Sequence, residues 1–438
     1  MSKPKKRWIL IFAILVVLQV ISMWGAPVEF STETAVGIDK ADTAWMIVAT
    51  AFVLFMTPGL SFFYGGMVSW KNVVSTMLQS FIALGVISLL WYLVGFSLAF
   101  GESFYGLIGN PFTYFCFQNV GLAPHPDFSP TIPFLIFALF QLKFAIITPA
   151  LITGSFAERV KFTSYLLFMV LFALLIYAPL AHWTWHPQGF LRQWGVLDFA
   201  GGTVVHMSAG FAALAGAFVL GKREVKMHQP ANIPFIMLGT GMLWFGWFGF
   251  NAGSALAANG LAVQAFATTN MASASAMLTW VLFDALVGRK ISAVGACIGA
   301  VVGLVAITPA AGFVSLGQSV FIGFVAALVS NVAVYYKNKT SLDDTLDVFP
   351  CHGVGGIVGM ILTAVFAKDV GAVFGHYSTL QYHLLALVIV GIFTFGGAYL
   401  IFKIVGSITR LRVSKEEEKL GLDISQHAET METKASFN

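Results

Sequence analysis

The sequence predicts an all-α integral membrane protein, eleven transmembrane helices preceded by a signal peptide or an extra N-terminal helix. Three observations predict it. Of 438 residues, 58% are apolar and only 10% are charged, against about 25% charged in an ordinary soluble domain. Apolar runs of about 20 residues, the length that crosses about 30 Å of hydrocarbon as a helix, recur along the whole chain. The basic residues sort by loop when the runs alternate in direction.

The eleven runs have cores near 44–66, 75–99, 131–152, 162–181, 203–220, 233–252, 267–287, 292–310, 318–336, 352–367 and 382–402. No stretch between them is long enough for a separate soluble domain. If Lys3, Lys5, Lys6 and Arg7 lie inside, alternation leaves Lys40, Arg192 and Lys368 outside and Lys143 within a span, so 20 of the 24 basic residues fall inside. This bias is the positive-inside pattern of plasma-membrane proteins. It places Arg159 with Lys161, Lys222 with Arg223 and Lys226, Arg289 with Lys290, Lys337 with Lys339, and the C-terminal tail in the cytoplasm. A net charge of +4 is too small to suggest nucleic acid.

The chain divides into three expected parts. Residues 1–30, basic and then apolar, read as a signal peptide or a membrane helix; Met23 and Trp24 occupy positions where a cleavage site wants small residues. Residues 42–403 form the membrane domain. Residues 404–438 are polar, with too few apolar side chains for a core of their own, and read as a solvated tail or a docking segment. Cys116, Cys297 and Cys351 lack any paired or metal-ligand spacing and read as packing residues.

Glycine is abundant at 43 residues, often spaced for close helix approach in lipid, as with Ala212 and Gly216 or Gly356 and Gly359. The fifth and tenth spans each carry a histidine four residues before a glycine, His206 with Gly210 and His352 with Gly356. An offset of five spans gives the two helices opposite senses, as two five-helix halves in an inverted repeat would.

Ionisable groups at membrane depth cost several kcal/mol unless paired or in a cavity, so each is a candidate site. His206, His352, Asp198 and Lys143 are the main ones, with Asp284 and Asp347 near span ends. The histidines read either as satisfied core residues or as a polar stripe in an apolar pore, each neutral ring offering one donor and one acceptor. Asp198 reads as a helix cap that also lowers the energy of an arriving cation. Phe140 and Phe144 share one helical face, as do Trp247, Phe250 and Ser254. Trp185 reads as an interfacial anchor or as an indole face for a cation.

These segments resemble the ammonium transporter family, of the bacterial type, from about Asp42 to Glu429. The motifs are Asp42-Thr-Ala-Trp-Met46, Met56-Thr-Pro-Gly-Leu-Ser-Phe-Phe-Tyr-Gly-Gly66 with Lys71-Asn72, Phe140-Gln to Ala157-Glu-Arg159, Leu197-Asp-Phe-Ala-Gly-Gly-Thr-Val-Val-His206, Gly246-Trp-Phe-Gly-Phe-Asn-Ala-Gly-Ser254 and Asp347-Val-Phe-Pro-Cys-His352. The resemblance implies a homotrimer in the inner membrane with one pore per subunit and a five-plus-five inverted repeat. It implies an outer ammonium site of Phe140, Phe144, Trp185 and Ser254, with Asp198 assisting from behind. Phe144 and Phe250 would stack as the gate. His206 and His352 would be a twin pair lining the ammonia path, with Trp247 and Ser292 nearby. The tail, Gly421-Leu-Asp to His427-Ala-Glu429, resembles the family's regulatory C-terminus, which implies a PII-type partner. Lys143 beside the gate, and Ser69-Trp70 in place of a basic-small pair, depart from the pattern.

No enzyme activity, metal or cofactor is expected. Two rivals remain: an ammonium sensor on the same scaffold, and a metalloenzyme using His206, His352 and Asp198, which lacks the three or four converging ligands of a zinc site.

Overall fold

The structure, a computed structural model, describes residues 6–23, 36–224 and 229–431. The expected loop residue Lys226, residues 24–30 of the first segment and the tail beyond residue 431 lie outside these. Helix α1 (Lys6–Ser22) forms from the apolar N-terminal run, and the Tyr92 hydroxyl donates to the carbonyl of its Ser22 at 3.2 Å.

All eleven apolar runs are helical. Nine helices among the described residues are long and apolar enough to cross a bilayer: α2 (Lys40–Met67), α3 (Trp70–Phe100), α4 (Phe134–Ser155), α5 (Phe162–Gln193), α6 (Gly202–Leu220), α7 (Ile233–Ala255), α10 (Leu316–Asn338), α11 (Phe349–Phe366) and α12 (Tyr377–Ile408). The other two each fall short on one measure. Helix α8 (Gly260–Leu286) is long but diluted by Thr268, Thr269, Ser273 and Ser275. Helix α9 (Ala293–Ile307) has 15 residues, about 22 Å at 1.5 Å per residue, against about 30 Å of hydrocarbon. The chain is thus a multi-pass membrane protein. Its outward faces are apolar; Leu384, Leu385, Val388 and Ile392 on α12 are all exposed, as lipid contact requires.

Sequence-local signals start the helices. Asp39 caps α2 by accepting from Asp42 N at 2.8 Å, Asn232 caps α7 through Phe235 N, and Ser315 with Gln318 forms a capping box on α10. Backbone polar groups are satisfied within each helix, so packing decides how the helices sit. A Cβ on Gly239 of α7 would lie 2.3 Å from Phe63 N of α2, and one on Gly59 would lie 2.9 Å from Met242 Cβ. The two helices therefore touch backbone to backbone, the close approach anticipated for small residues in lipid. Two short hairpins, β1 (Ser103–Phe104) with β2 (Ile108–Gly109) and β3 (Pro124–His125) with β4 (Ser129–Pro133), are antiparallel and cover one end of the bundle.

The basic loops and the tail occupy the opposite end. Helix α12 continues past Lys403 to Ile408, and the segment after it packs against the rest of the chain rather than standing in solvent. Helix α13 (Lys415–Leu420) opens on a Ser414–Glu417 capping box. Its Glu418 binds Arg412 at 2.7 Å and accepts from Glu224 N, while Leu422 N donates to Asn72 Oδ1. Asp423 accepts from Val74 N and Ser75 N in the first turns of α3, and His427 packs on Phe162.

Beneath the tail lies an ionic network. Arg223 pairs with Glu158 at 2.8 Å and Asp343 at 3.0 Å, all nearly buried. Burial pushes the Asp343 carboxyl up, but the Arg223 guanidinium outweighs it and holds the group below its ordinary value. Asp284 pairs with Arg289, and Asp347 with Lys337, where burial pushes the Asp347 carboxyl up to about 6 against the pull of that lysine. Neither carboxylate joins the histidines.

Two outcomes follow. Gly239→Leu should destabilise by at least about 1–3 kcal/mol through overpacking, read as a lower thermal midpoint in detergent; Gly241→Leu, whose Cβ position has nothing within 4 Å, should leave the midpoint in place. The contribution of Asp343, whose folded pKa is depressed, is present above the ordinary carboxylate value of about 3.9 and is lost as pH falls through the depressed one. The midpoint should therefore drop on acidification below about pH 4, and drop less in Asp343→Asn.

Candidate functional site

Opposite the tail, a cavity of about 380 Å³ opens at the hairpin end, walled by Phe128, Gln141, Phe144, Trp185, Asp198 and Ser254. Each wall residue is fixed by local structure. Trp185 ends a regular helical stretch of α5 and its Nε1 donates to Asp198 O at 3.1 Å, so its ring is held against the cavity. Ser254 lies in the tight turn that closes α7. Its Oγ donates to Phe250 O at 2.9 Å, which leaves its lone pairs as acceptors.

Asp198 is a cap. Its Oδ1 accepts from Gly201 N and Gly202 N at 2.7 and 2.6 Å, and its Oδ2 from Thr203 N and Thr203 Oγ1 at 2.8 and 2.5 Å. Four donors occupy the carboxylate, so its oxygens are committed to the turn and its charge is the part of it left to act at a distance. Gly201, at φ +118°, supplies the turn that folds the chain back over Asp198, a conformation open to glycine.

Below the cavity the aromatic rings form a plug. Phe144 and Phe250 stack at 4.1 Å with 27° between planes, and Phe144 meets Trp185 edge-on at 5.7 Å. Phe140, fully buried, packs edge-on against Phe144 at 5.0 Å and against the bare backbone of Gly253, where a Cβ would lie 2.7 Å from its ring. It backs the plug and does not line the cavity.

His206 lies on the far side of the plug, 6.1 Å from Phe250 and 5.4 Å from both Trp247 and His352. Both histidines are buried, and their Nδ1 atoms are 3.3 Å apart. Thr308 fixes their protons. Its hydroxyl donates to Leu304 O at 2.7 Å and accepts from Trp247 Nε1 at 2.8 Å, so at the 3.3 Å contact His206 Nε2 must be the donor. With neutral rings, His206 Nδ1 is then the acceptor, His352 Nδ1 donates to it, and His352 Nε2 carries a free lone pair.

The backbone makes this contact possible. Each histidine sits in a π-helical turn, Gly202–Met207 and Phe349–Val354, a local widening common at functional sites. The glycines four residues on act reciprocally: a Cβ on Gly210 would lie 2.3 Å from Gly353 Cα, and one on Gly356 would lie 3.1 Å from Met207 Cγ. Each glycine thus meets the residue just after the other helix's histidine. Each turn is also capped by the carboxylate eight residues before its histidine, Asp198 for His206 and Asp344, through Val348 N and Phe349 N, for His352.

The sequence-predicted residues fall into a wall (Phe144, Trp185, Ser254, with Asp198), a plug (Phe144, Phe250, backed by Phe140) and a polar pair (His206, His352, with Trp247). Ser292 is elsewhere: exposed, it caps α9 through Gly295 N. Lys143 is half-buried on α4 and makes no hydrogen bond or ion pair among the described residues. Sequence reasoning missed Gln141, although it lies three residues before Phe144 on the same face, and Thr308, a lone hydroxyl beside Pro309 closing an apolar run. Among the described residues no cluster of three metal-ligating side chains occurs, and the Asp198 oxygens are committed to the cap.

An apolar multi-pass bundle with an aromatic-walled cavity leading to a buried polar pair has the form of a membrane transporter or channel. The chain belongs to the Ammonium Transporter Family, whose model matches residues 44–432. An ammonium transporter of Aquifex aeolicus is 44% identical over 409 residues, covering 92% of this chain and 95% of that one. The solved structure of Saccharomyces cerevisiae Mep2 superposes with a TM-score of 0.85 at 35% identity, covering 92% and 94% of the two chains. A solved chain described as a sensor Amt protein matches at 32% identity and a TM-score of 0.82, covering 88% and 98%.

Asp198→Asn would turn an amide NH2 toward donors that now share the carboxylate, and should destabilise by about 1–3 kcal/mol. Thermal midpoints in detergent check this, with Thr203→Ser, which keeps the hydroxyl, expected to stay near wild type.

Proposed function

We propose that this protein transports ammonium, choosing the cation at the outer cavity and conducting ammonia past the histidines. The observation that carries this reading is the Phe144–Phe250 stack at 4.1 Å, an apolar plug between a cation-compatible cavity and a pair of neutral rings. A bare ion pays heavily to enter such a constriction, whereas neutral ammonia does not. Ammonium would sit over the Trp185 face and donate an N–H to Ser254 Oγ, with the Asp198 carboxylate lowering its energy from behind. It gives up a proton before the plug. Ammonia then passes Phe144 and Phe250 and runs beside His206 and His352.

The proton has two fates, which current tells apart. Return to the outer solution makes uptake neutral. Relay passes the proton inward through the paired Nδ1 atoms of His206 and His352, each ring exchanging its tautomer as the proton moves on, and makes uptake carry charge.

Eleven helices, α2 to α12, cross the membrane as two five-helix halves and one further span, and the reciprocal glycine contacts and matching carboxylate caps of α6 and α11 support that inverted repeat. The basic loops and the docked tail face the cytoplasm, the outer cavity faces away from the cell, and the tail is a surface for a PII-type partner. Subunits assemble as a homotrimer in the inner membrane, and residues 1–30 are a signal peptide or a twelfth helix.

Purified protein in liposomes should take up methylammonium saturably. Trp185→Leu removes a contact worth up to about 2 kcal/mol when desolvated, so half-saturation should rise up to about thirtyfold. Under the relay, His206→Ala abolishes the ammonium-dependent current; a current unchanged by that substitution rules the relay out. Binding without uptake in the wild type would make the chain a sensor.

A further inference from the structure

Between Phe140 and Phe144, on the cavity wall, α4 carries an amide that neither the plug nor the cap uses. Gln141 lines the cavity, yet its Oε1 is buried without a hydrogen-bond partner, and no hydrogen bond to either end of its amide occurs among the described residues. A buried amide oxygen with nothing to accept is uncommon, because losing water without gaining a donor is costly. Its neighbours explain why nothing on the protein fills the role. Asp198 and its donors are saturated, the Trp185 N–H goes to Asp198 O, the Ser254 hydroxyl proton goes to Phe250 O, and much of the remaining wall is the rings of Phe128, Phe137 and Phe144, with Asp127 and Arg192 also on it. Apart from the Arg192 guanidinium, which gives one bond to Trp185 O, and the Gln141 amide itself, these side-chain donors are spent, and acceptor capacity is left over.

We propose that Gln141 is a specificity-determining residue whose Oε1 accepts an N–H from the cation in the outer cavity. An ammonium ion brings four N–H donors to a wall where Ser254 Oγ takes one and the aromatic faces take none as hydrogen bonds. Gln141 Oε1 supplies a second acceptor. With neither end of the amide tied to the protein, a half-turn about the Cγ–Cδ bond exchanges oxygen and nitrogen at the cavity without breaking any bond, so the occupant sets which end faces it. A cation with N–H groups draws the oxygen inward. An alkali cation gains ion–dipole attraction but no directed bond, and a methylated ammonium has one donor fewer to share between Ser254 and Gln141. The residue therefore sharpens selection at the mouth and plays no part beyond the plug.

This inference rests on the outer-cavity reading above, and the test separates the two. Methylammonium uptake into liposomes is measured for wild type, Gln141→Met and Gln141→Glu, with ammonium as competitor. Met keeps the length and loses the acceptor; Glu keeps an acceptor. Gln141→Met should raise the half-saturation for methylammonium, and the competing concentration of ammonium, by about ten- to a hundredfold, the range of a hydrogen bond to a charged group. The maximal rate should stay within about twofold, because the proposed contact is made before the chemistry. Gln141→Glu should hold half-saturation at or below wild type. Unchanged half-saturation in Gln141→Met, or equal loss in Gln141→Glu, overturns the acceptor role. The same overturn follows if the maximal rate falls while half-saturation holds, since that is the signature of a packing residue. A Trp185→Leu variant with unaltered half-saturation would overturn the cavity reading itself, whatever Gln141 does.

Discussion

The site depends on two helix backbones coming as close as backbones can. At Gly210 and Gly353 there is no room for a Cβ on α6, and only this contact lets two imidazoles from opposite halves of the chain meet Nδ1 to Nδ1. Surrounding the crossing is a buried, largely apolar interior, where an unpaired polar group costs several kcal/mol. Each ring is therefore tied down: His206 to Thr308 and His352, and Thr308 to Trp247 and the Leu304 carbonyl. The arrangement is rigid because leaving any member out strands the rest.

The division of labour along the axis follows from the same burial. Charge is tolerated where water reaches, so the carboxylate, the hydroxyl and the indole face gather at the cavity. Past Phe144 and Phe250 the polar side chains that meet are the two imidazoles, the Trp247 indole and the Thr308 hydroxyl. Asp198 shows how little of a carboxylate is available even at the boundary, since all four of its bonds hold the helix turn that carries His206. Its part in structure and its part in electrostatics use the same charge, and the cap leaves the charge in place.

Much of this was legible in the sequence, for physical reasons that differ by residue. Long apolar runs mark helices because a single apolar segment satisfies its own backbone in lipid only as a helix, so all eleven runs are helical; α8 departs in apolarity through its threonines and serines, and α9 in length. The histidines and Asp198 were visible because ionisable groups are scarce at that depth. Phe140 was placed one layer too far forward: a helical face says which way a ring points, but Gly253 on another helix decides what it meets. Thr308 and Gln141 were hidden because threonine and glutamine are unremarkable in composition, and their meaning comes from partners far along the chain or from the lack of one. The tail left two readings open, since six-residue α13 has no core of its own; its stability comes from caps and ion pairs on other loops.

Those caps have a bearing on how the protein is made. The carboxylate of Asp423 satisfies amides at Val74 and Ser75, positions 349 and 348 residues earlier. During synthesis the start of α3 enters the membrane long before its cap exists, and stays open until the segment around Asp423 has been made. A truncated or stalled chain would keep that turn uncapped and the surface around Phe162 bare. That face of the bundle is therefore complete only when two segments about 350 residues apart have both been made and have met.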